Sequence, residues 1–273
     1  MLRMKAEASQ APTTANNEDS GGGEPSVRVI DRAARLLRAL ANHAFEGATF
    51  TELLREADLG KATTHRLLSS LVDAGLIYQD LGSKRYLLGS AVARMGQSAV
   101  AQRIAAVAQP SLQTLSSETT DTVLASSVEG FAAVCVARAI GSFPIRTLTL
   151  GVGDRRPLGV GSGSLALLAA MSDEEVEPII DRNARWLRDY PGHGRAELEA
   201  AVREARRDGF ALNRGGIVPG MSAVAVAALD GGGRPLVALA VAAITERLPA
   251  ARIDQVVKLL KRETAAVSRE AAS

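Results

Sequence analysis

Residues 49–88 read TFTELLREADLGKATTHRLLSSLVDAGLIYQDLGSKRYLL, and their order of polar and apolar positions spells helix, tight turn, second helix and a short two-stranded ribbon. Thr49 opens the first helix. Its hydroxyl can cap a free amide while Glu52, three residues on, reaches back to close a capping box. Leu53, Leu54 and Ala57 form the apolar side. Asp58-Leu59-Gly60 is the turn, with Gly60 expected to take a backbone shape other residues resist. The second helix is expected from about Lys61 to Ala74, with Gly75 ending it.

Rotation at 100° per residue puts Thr64, Leu67, Leu68 and Leu71 on one stripe, which must face a core. Ala62, Arg66, Ser69 and Asp73 fall opposite, flanked by Thr63, His65 and Ser70. A short polar face with one arginine suits a major groove, where a guanidinium fork meets guanine and small hydroxyls leave room. Lys61 and the free amides at the helix start suit a phosphate. In the ribbon, Ile77-Tyr78-Gln79 and Arg85-Tyr86-Leu87 flank a turn holding Gly82 and Ser83, with Lys84 and Arg85 placed to lie on a sugar-phosphate backbone. A plain helical hairpin with a solvated polar face would share the two helices; the basic-tipped ribbon favours a winged helix-turn-helix.

VRVIDRAARLLRAL, TELLREADLGKATTHRLLSSLVDAGLI and KRYLLG resemble the amino-terminal domain of IclR-type bacterial transcriptional regulators. The family usually has proline before the lysine that opens the recognition helix; here it is Gly60. RRPLGVGSGSLALLAA and GFALNRGGIVPGMSAVAVAAL are similar to that family's effector-binding domain, a GAF-like α+β module, so the resemblance covers nearly everything beyond residue 25. It departs at pocket positions. The usual histidine is Gly159, and the glycine-lysine pair reads Gly163-Ser164 or Ser164-Leu165. Acidic residues are replaced by Asn213, Arg214 and Gly215, and a cysteine by Ser222 and Ala223. A relative's ligand therefore does not carry over.

The remainder fits two domains. Of 273 residues, 47% are apolar and the net charge is +2, as expected of a globular chain with ample core. Residues 26–100 hold ten Lys/Arg against seven Asp/Glu, and residues 101–273 twenty against nineteen, so the small basic surplus sits where nucleic acid would bind. One cysteine, Cys135, excludes an internal disulfide and fits a reducing cytoplasm. Residues 1–25 lack periodicity and carry no apolar segment suited to a signal peptide; they read as a disordered tail. No run is long and uncharged enough to span a membrane.

Residues 27–42 read as a first helix with Ile30, Ala33, Leu37 and Leu40 inward. Helical periodicity from Ser90 to about Ser117, with a break expected at Pro110, reads as a linker helix. Its small residues permit close helix approach, and a DNA reader needs paired half-sites, so a homodimer or homotetramer is expected; the helix could instead pack on its own chain. DTVLASSVE, FAAVCVARA and PIRTLTL read as strands and GVGDRRPL as a loop. An apolar helix follows the glycines at 159–163, then a helix over 173–189 opened by a Ser172/Glu175 capping box, and another over 196–208. FALN, MSAVAVAAL and PLVALAVAAI are strands, followed by a helix over 249–268. Hairpin connections point to α+β. The expected organisation is a tail at 1–25, a winged helix-turn-helix at 26–89, a linker helix at 90–108 and a GAF-like effector-binding domain at 109–273.

Enzymatic signals are lacking. GVGSGS has no Gly-Lys-Ser/Thr ending, does not complete G-x-G-x-x-G and contains no nucleophile elbow. His43, His65 and His193 lie on separate elements without metal-ligand spacing, so neither metal nor cofactor is expected. What remains is a helix start with free amides and the hydroxyls Ser162 and Ser164 around Gly163. It can hold a carboxylate, or it is a tight turn under a sheet. Arg214 can fork onto a ligand carboxylate or lie on the surface. Asn213, Met221 and Ser222 complete the candidate effector site, and Cys135 reads as core. The function expected is a double-stranded-DNA-binding repressor controlled by a small organic effector, a carboxylate by class. The alternative is a metabolite-binding protein or enzyme whose helix-turn-helix serves protein contacts.

Overall fold

The computed structural model describes residues 25–272, with side chains from Arg28 onward; the tail expected at 1–25 lies almost wholly outside them. The chain divides after Ala93 into two compact units.

The first unit holds α1 (Pro25–Asn42), α2 (Phe50–Glu56), α3 (Lys61–Asp73), β1 (Ile77–Gln79) and β2 (Tyr86–Leu88). Its core is Leu36, Leu40, Leu53, Leu68, Leu71 and Ile77 with Ala39, Ala48 and Ala57. Thr64, Leu68 and Leu71 of α3 face inward as the periodicity requires, with Leu67 half-buried. On α1 the inward stripe is rotated from the expected one. Leu36 is fully buried, whereas Ile30, one turn and a half earlier, is 72% exposed. The stripe meets its neighbours only along the helix's later turns. β1 and β2 pair antiparallel, Ile77 opposite Leu88, and Ala48 joins them as a third rung through bonds to Tyr86 in both directions, 2.9 and 2.8 Å.

The second unit is an antiparallel sheet of order β5-β4-β3-β8-β7-β6, built from β3 (Thr122–Glu129), β4 (Ala132–Ile140), β5 (Arg155–Pro157), β6 (Ala211–Arg214), β7 (Met221–Leu229) and β8 (Pro235–Ile244). Helices cover both faces. α4 (Ser90–Thr119) and α8 (Ala250–Ala272) share one core with Val123, Val136, Val237, Leu239 and Val241; α5 (Ser162–Ala169), α6 (Asp173–Leu187) and α7 (Arg195–Asp208) share the other with Leu124, Cys135, Ala238, Ala240 and Ala242. The strands are apolar on both faces, which is why their sequence runs without polar alternation.

Three expectations change here. α4 runs through Pro110 unbroken to Thr119. Pro110 and Ala106, whose carbonyl loses its partner, both lie on the exposed side, where water can take that bond. PIRTLTL, residues 144–150, is not a strand. The edge of β4 is already filled by Arg155–Pro157, paired with Ala132–Val134, and by Gly153 and Asp154, which bond Cys135 at 2.8 and 3.0 Å. Residues 141–154 therefore arch over the sheet, and part of the expected loop GVGDRRPL is β5.

A buried charge cluster closes one end of this unit. Asp121, at the start of β3, accepts from Arg247 Nε at 2.7 Å and Arg252 Nη2 at 2.6 Å, and both guanidinium groups also donate to the Thr119 carbonyl. Arg247 stacks 3.7 Å from the centre of the Phe143 ring. Removing the acid would leave two cations with poor solvation. Asp121→Ala is thus expected to lower unfolding free energy by about 3–5 kcal/mol, read from the denaturant midpoint. Cys135 supplies a second test. Burial pushes its thiol up to about 11 from the ordinary 9.0, so the native protein should resist thiol alkylation at pH 8 and react on unfolding. The folded state favours the protonated thiol. Its contribution is complete below about pH 9 and declines as pH rises toward 11, so Cys135→Ala should flatten that part of the stability profile.

Candidate functional site

The nucleic-acid face is built on α2 and α3. Thr49 caps α2 and Glu52 closes the box, with Glu52 N to Thr49 Oγ1 at 3.3 Å and Thr49 N to Glu52 Oε2 at 2.7 Å. Gly60 does not take the special backbone expected of it: φ −66°, ψ 145° is ordinary extended geometry. Asp58, at φ 48°, makes the left-handed turn instead, a conformation Asp tolerates better than most. On α3, Lys61, Ala62, His65, Arg66, Ser69 and Ser70 are exposed and Thr63 is half-buried. Arg66 and Lys61 make no ion pair among the described residues. Ser70 donates its hydroxyl to the Arg66 carbonyl at 3.1 Å, and the His65 ring lies 6.3 Å from that of Phe50.

The ribbon tip is closed tightly. Asp80 Oδ1 accepts from Ser83 N and Oγ, both at 2.7 Å, and these bonds hold its carboxyl below the usual range. Lys84, at φ 60°, is exposed and has both peptide groups engaged, by the Asp80 carbonyl and the Gln79 side chain at 2.9 Å each. Arg85 does not project as expected. Its Nε donates to the carbonyls of Glu46 at 2.9 Å and Gly47 at 3.2 Å, and Nη2 approaches Glu52 Oε2 at 3.4 Å. It ties the wing to the start of α2, which leaves Lys84 as the cation at the tip.

In the second unit, six of the seven candidate effector residues converge. Ser162, Gly163, Ser164, Asn213, Met221 and Ser222 line one pocket of about 70 Å³, room for a few waters or a small acid. Arg214 does not join them; it is exposed and lines an adjoining cavity with His193 and Glu197. Two of the six are engaged in holding the fold. Ser164 Oγ accepts from Gly159 N and donates to the Pro157 carbonyl, both at 3.0 Å, and Ser222 Oγ bonds Thr245 Oγ1 at 3.0 Å. Asn213 Oδ1 accepts from Gly216 N at 3.1 Å. Gly159 takes φ 99°, and a Cβ there would meet Leu198 Cδ2 at 2.7 Å, which excludes the histidine usual at this place.

Arg156 is the residue the sequence reading missed. It lines the pocket, donates from Nη2 to the Thr149 carbonyl at 2.9 Å, and brings Nη1 to 3.3 Å from where a Cβ of Gly161, the N-cap of α5, would stand. Burial lowers its pKa, with Tyr190 and Asp154 opposing, yet a guanidinium stays charged. It has no ion pair among the described residues, and no Asp or Glu lines the pocket. Recognising residues 155–157 as a strand would have found it. Period two sends Arg155 outward to Glu129 Oε1 at 2.7 Å and Arg156 inward.

Comparison with known proteins agrees with this geometry. Residues 29–81 match the IclR helix-turn-helix domain, and residues 96–269 match the bacterial transcriptional regulator IclR C-terminal domain. The HTH-type transcriptional regulator BhcR of Paracoccus denitrificans is 29% identical over 241 residues, covering 87% of this chain and 83% of that one. An IclR-family regulator from Rhodococcus sp. superposes with TM-score 0.65 at 22% identity, covering 93% and 97% of the two chains. An IclR homologue from Microbacterium hydrocarbonoxydans, solved with 4-hydroxybenzoate, superposes with TM-score 0.55 at 18% identity, covering 89% and 98%. The chain belongs to the IclR family of bacterial transcriptional regulators.

Proposed function

We propose that this regulator is a repressor that reads its operator with α3 and the wing, and that a small organic carboxylate in the second unit's pocket controls it. Arg66 presents a free guanidinium fork on a face of small polar side chains, the geometry of a direct guanine contact. Lys61 and Lys84 take phosphates. Two copies act together, because one α3 covers too few bases for specificity. The half-exposed Met95 and Val100 of α4 and its many alanines supply a face on which copies can pair. The acid acts by favouring one arrangement of the paired readers over another.

The observation that carries the effector reading is Arg156. A half-buried cation beside the amide-rich start of α5, with no acid lining the cavity, asks for an anion. The apolar floor of Leu124, Ala133, Ala240 and Ala242 suits the body of an organic acid better than inorganic phosphate. The homologue bound to 4-hydroxybenzoate supports the same class.

Gel-shift titration on DNA flanking the protein's own gene, at two salt concentrations, tests the first half. Arg66→Ala should cost roughly 1–3 kcal/mol and relax preference at one base, while Lys84→Ala should weaken all sequences alike and reduce the salt slope by about one. Equal behaviour of the two would overturn these roles. For the second half, a panel of small acids should raise the melting temperature by mass action. Arg156→Gln should weaken the best acid by about 10- to 100-fold; an unchanged affinity would remove Arg156 from the site.

A further inference from the structure

The pocket contains a second unmet demand. Thr147, on the arch of residues 141–154, lines the cavity and is only 4% exposed. Its Oγ1 is buried and has no hydrogen-bond partner. Its neighbours in sequence behave differently: Ile145 and Leu148 lie more than half exposed, so the arch turns a polar side chain inward and apolar ones outward. Packing alone would favour the reverse, and valine would fill the same volume without leaving a hydroxyl unsatisfied.

The arch is fixed in place around this residue. Gly141 N bonds the Asp121 carbonyl at 3.0 Å and Phe143 N the Thr120 carbonyl at 2.9 Å. Beyond Thr147, the Thr149 carbonyl receives Arg156 and the Leu150 carbonyl receives Arg138 Nη1 at 3.2 Å. A Cβ on Gly141 would lie 2.2 Å from the Thr120 backbone, so the start of the arch sits closely on the sheet. Thr147 is thus held between two anchors, one of which is the pocket's own cation. The Ser164 and Ser222 hydroxyls, also in the pocket wall, are already satisfied within the protein.

We infer that Thr147 reads a second polar group on the effector, so that the acid recognised carries a hydroxyl or oxo group besides its carboxylate. This rests on the carboxylate reading above: Arg156 and the start of α5 hold the acid group, the alanine floor takes the apolar body, and Thr147 completes the other end. A site that leaves a buried hydroxyl unpaired without the correct ligand discriminates strongly against the analogue lacking that group.

Calorimetric titration of the full chain with matched acids tests this. Suitable pairs are 4-hydroxybenzoate with benzoate, 3-hydroxybenzoate with benzoate, lactate with propionate, and pyruvate with propionate, each against wild type, Thr147→Val and Thr147→Ser. In wild type at least one pair should favour the oxygenated member by about tenfold or more. Thr147→Val should bring that ratio to about one, leave the plain acid's affinity unchanged, and keep or raise the ligand-free melting temperature; Thr147→Ser should restore the preference. A preference that survives in Thr147→Val, or wild-type affinities equal within every pair, overturns the assignment while Arg156-dependent acid binding stands. If no acid binds wild type, the carboxylate reading fails and this inference with it.

Discussion

The second unit depends on an alternation of size along its central strand. In β8, Val237, Leu239 and Val241 face one side of the sheet and Ala238, Ala240 and Ala242 the other. The large side supplies surface for α4 and α8. The small side lets α5, whose residues from Ser162 to Leu168 are all buried, lie close, and it leaves a hollow where α5 begins. The pocket therefore results from the same pleat that builds the core. Filling Ala240 or Ala242 with a larger side chain would press on the binding cavity before it pressed on a helix.

In the first unit the comparable junction is one carboxylate oxygen. Glu52 Oε2 receives Thr49 N, Thr49 Oγ1 at 2.9 Å and Arg85 Nη2. These bonds hold its carboxyl below the ordinary range, with the Thr49 amide first among the causes. Through them the first turn of α2 and the base of the wing are fixed to each other. The two elements that would meet the DNA backbone share a support outside the hydrophobic core.

Helical parts of the chain were legible because their signals are local. The capping boxes at Thr49 and Ser172, the glycine after α7 and the stripe on α3 each follow from neighbours within a turn or two. Strand partners are not local. Nothing in PIRTLTL says that the edge of β4 is already taken by residues 153–157, so the arch was misread and Arg156 passed over with it. Arg85 was misplaced for a related reason. Its partners, the carbonyls of Glu46 and Gly47, lie 39 and 38 residues away, and backbone acceptors leave no mark in side-chain chemistry. The glycine-rich stretch at 159–163 did mark the pocket, because tight backbone and free amides are properties of the stretch itself.

Anchoring Arg85 inward has a consequence for how operator preference can diverge. The tip, Leu81 to Lys84, is held by Asp80, Gln79 and the ribbon's own peptide groups, while Arg85 fastens its base. Side chains at 81 and 84 point to solvent without a structural duty elsewhere in the core. Related proteins are thus free to exchange those two residues, altering which backbone or groove features are sampled, without re-engineering the helices beneath. The wing behaves as a replaceable fingertip on a fixed knuckle.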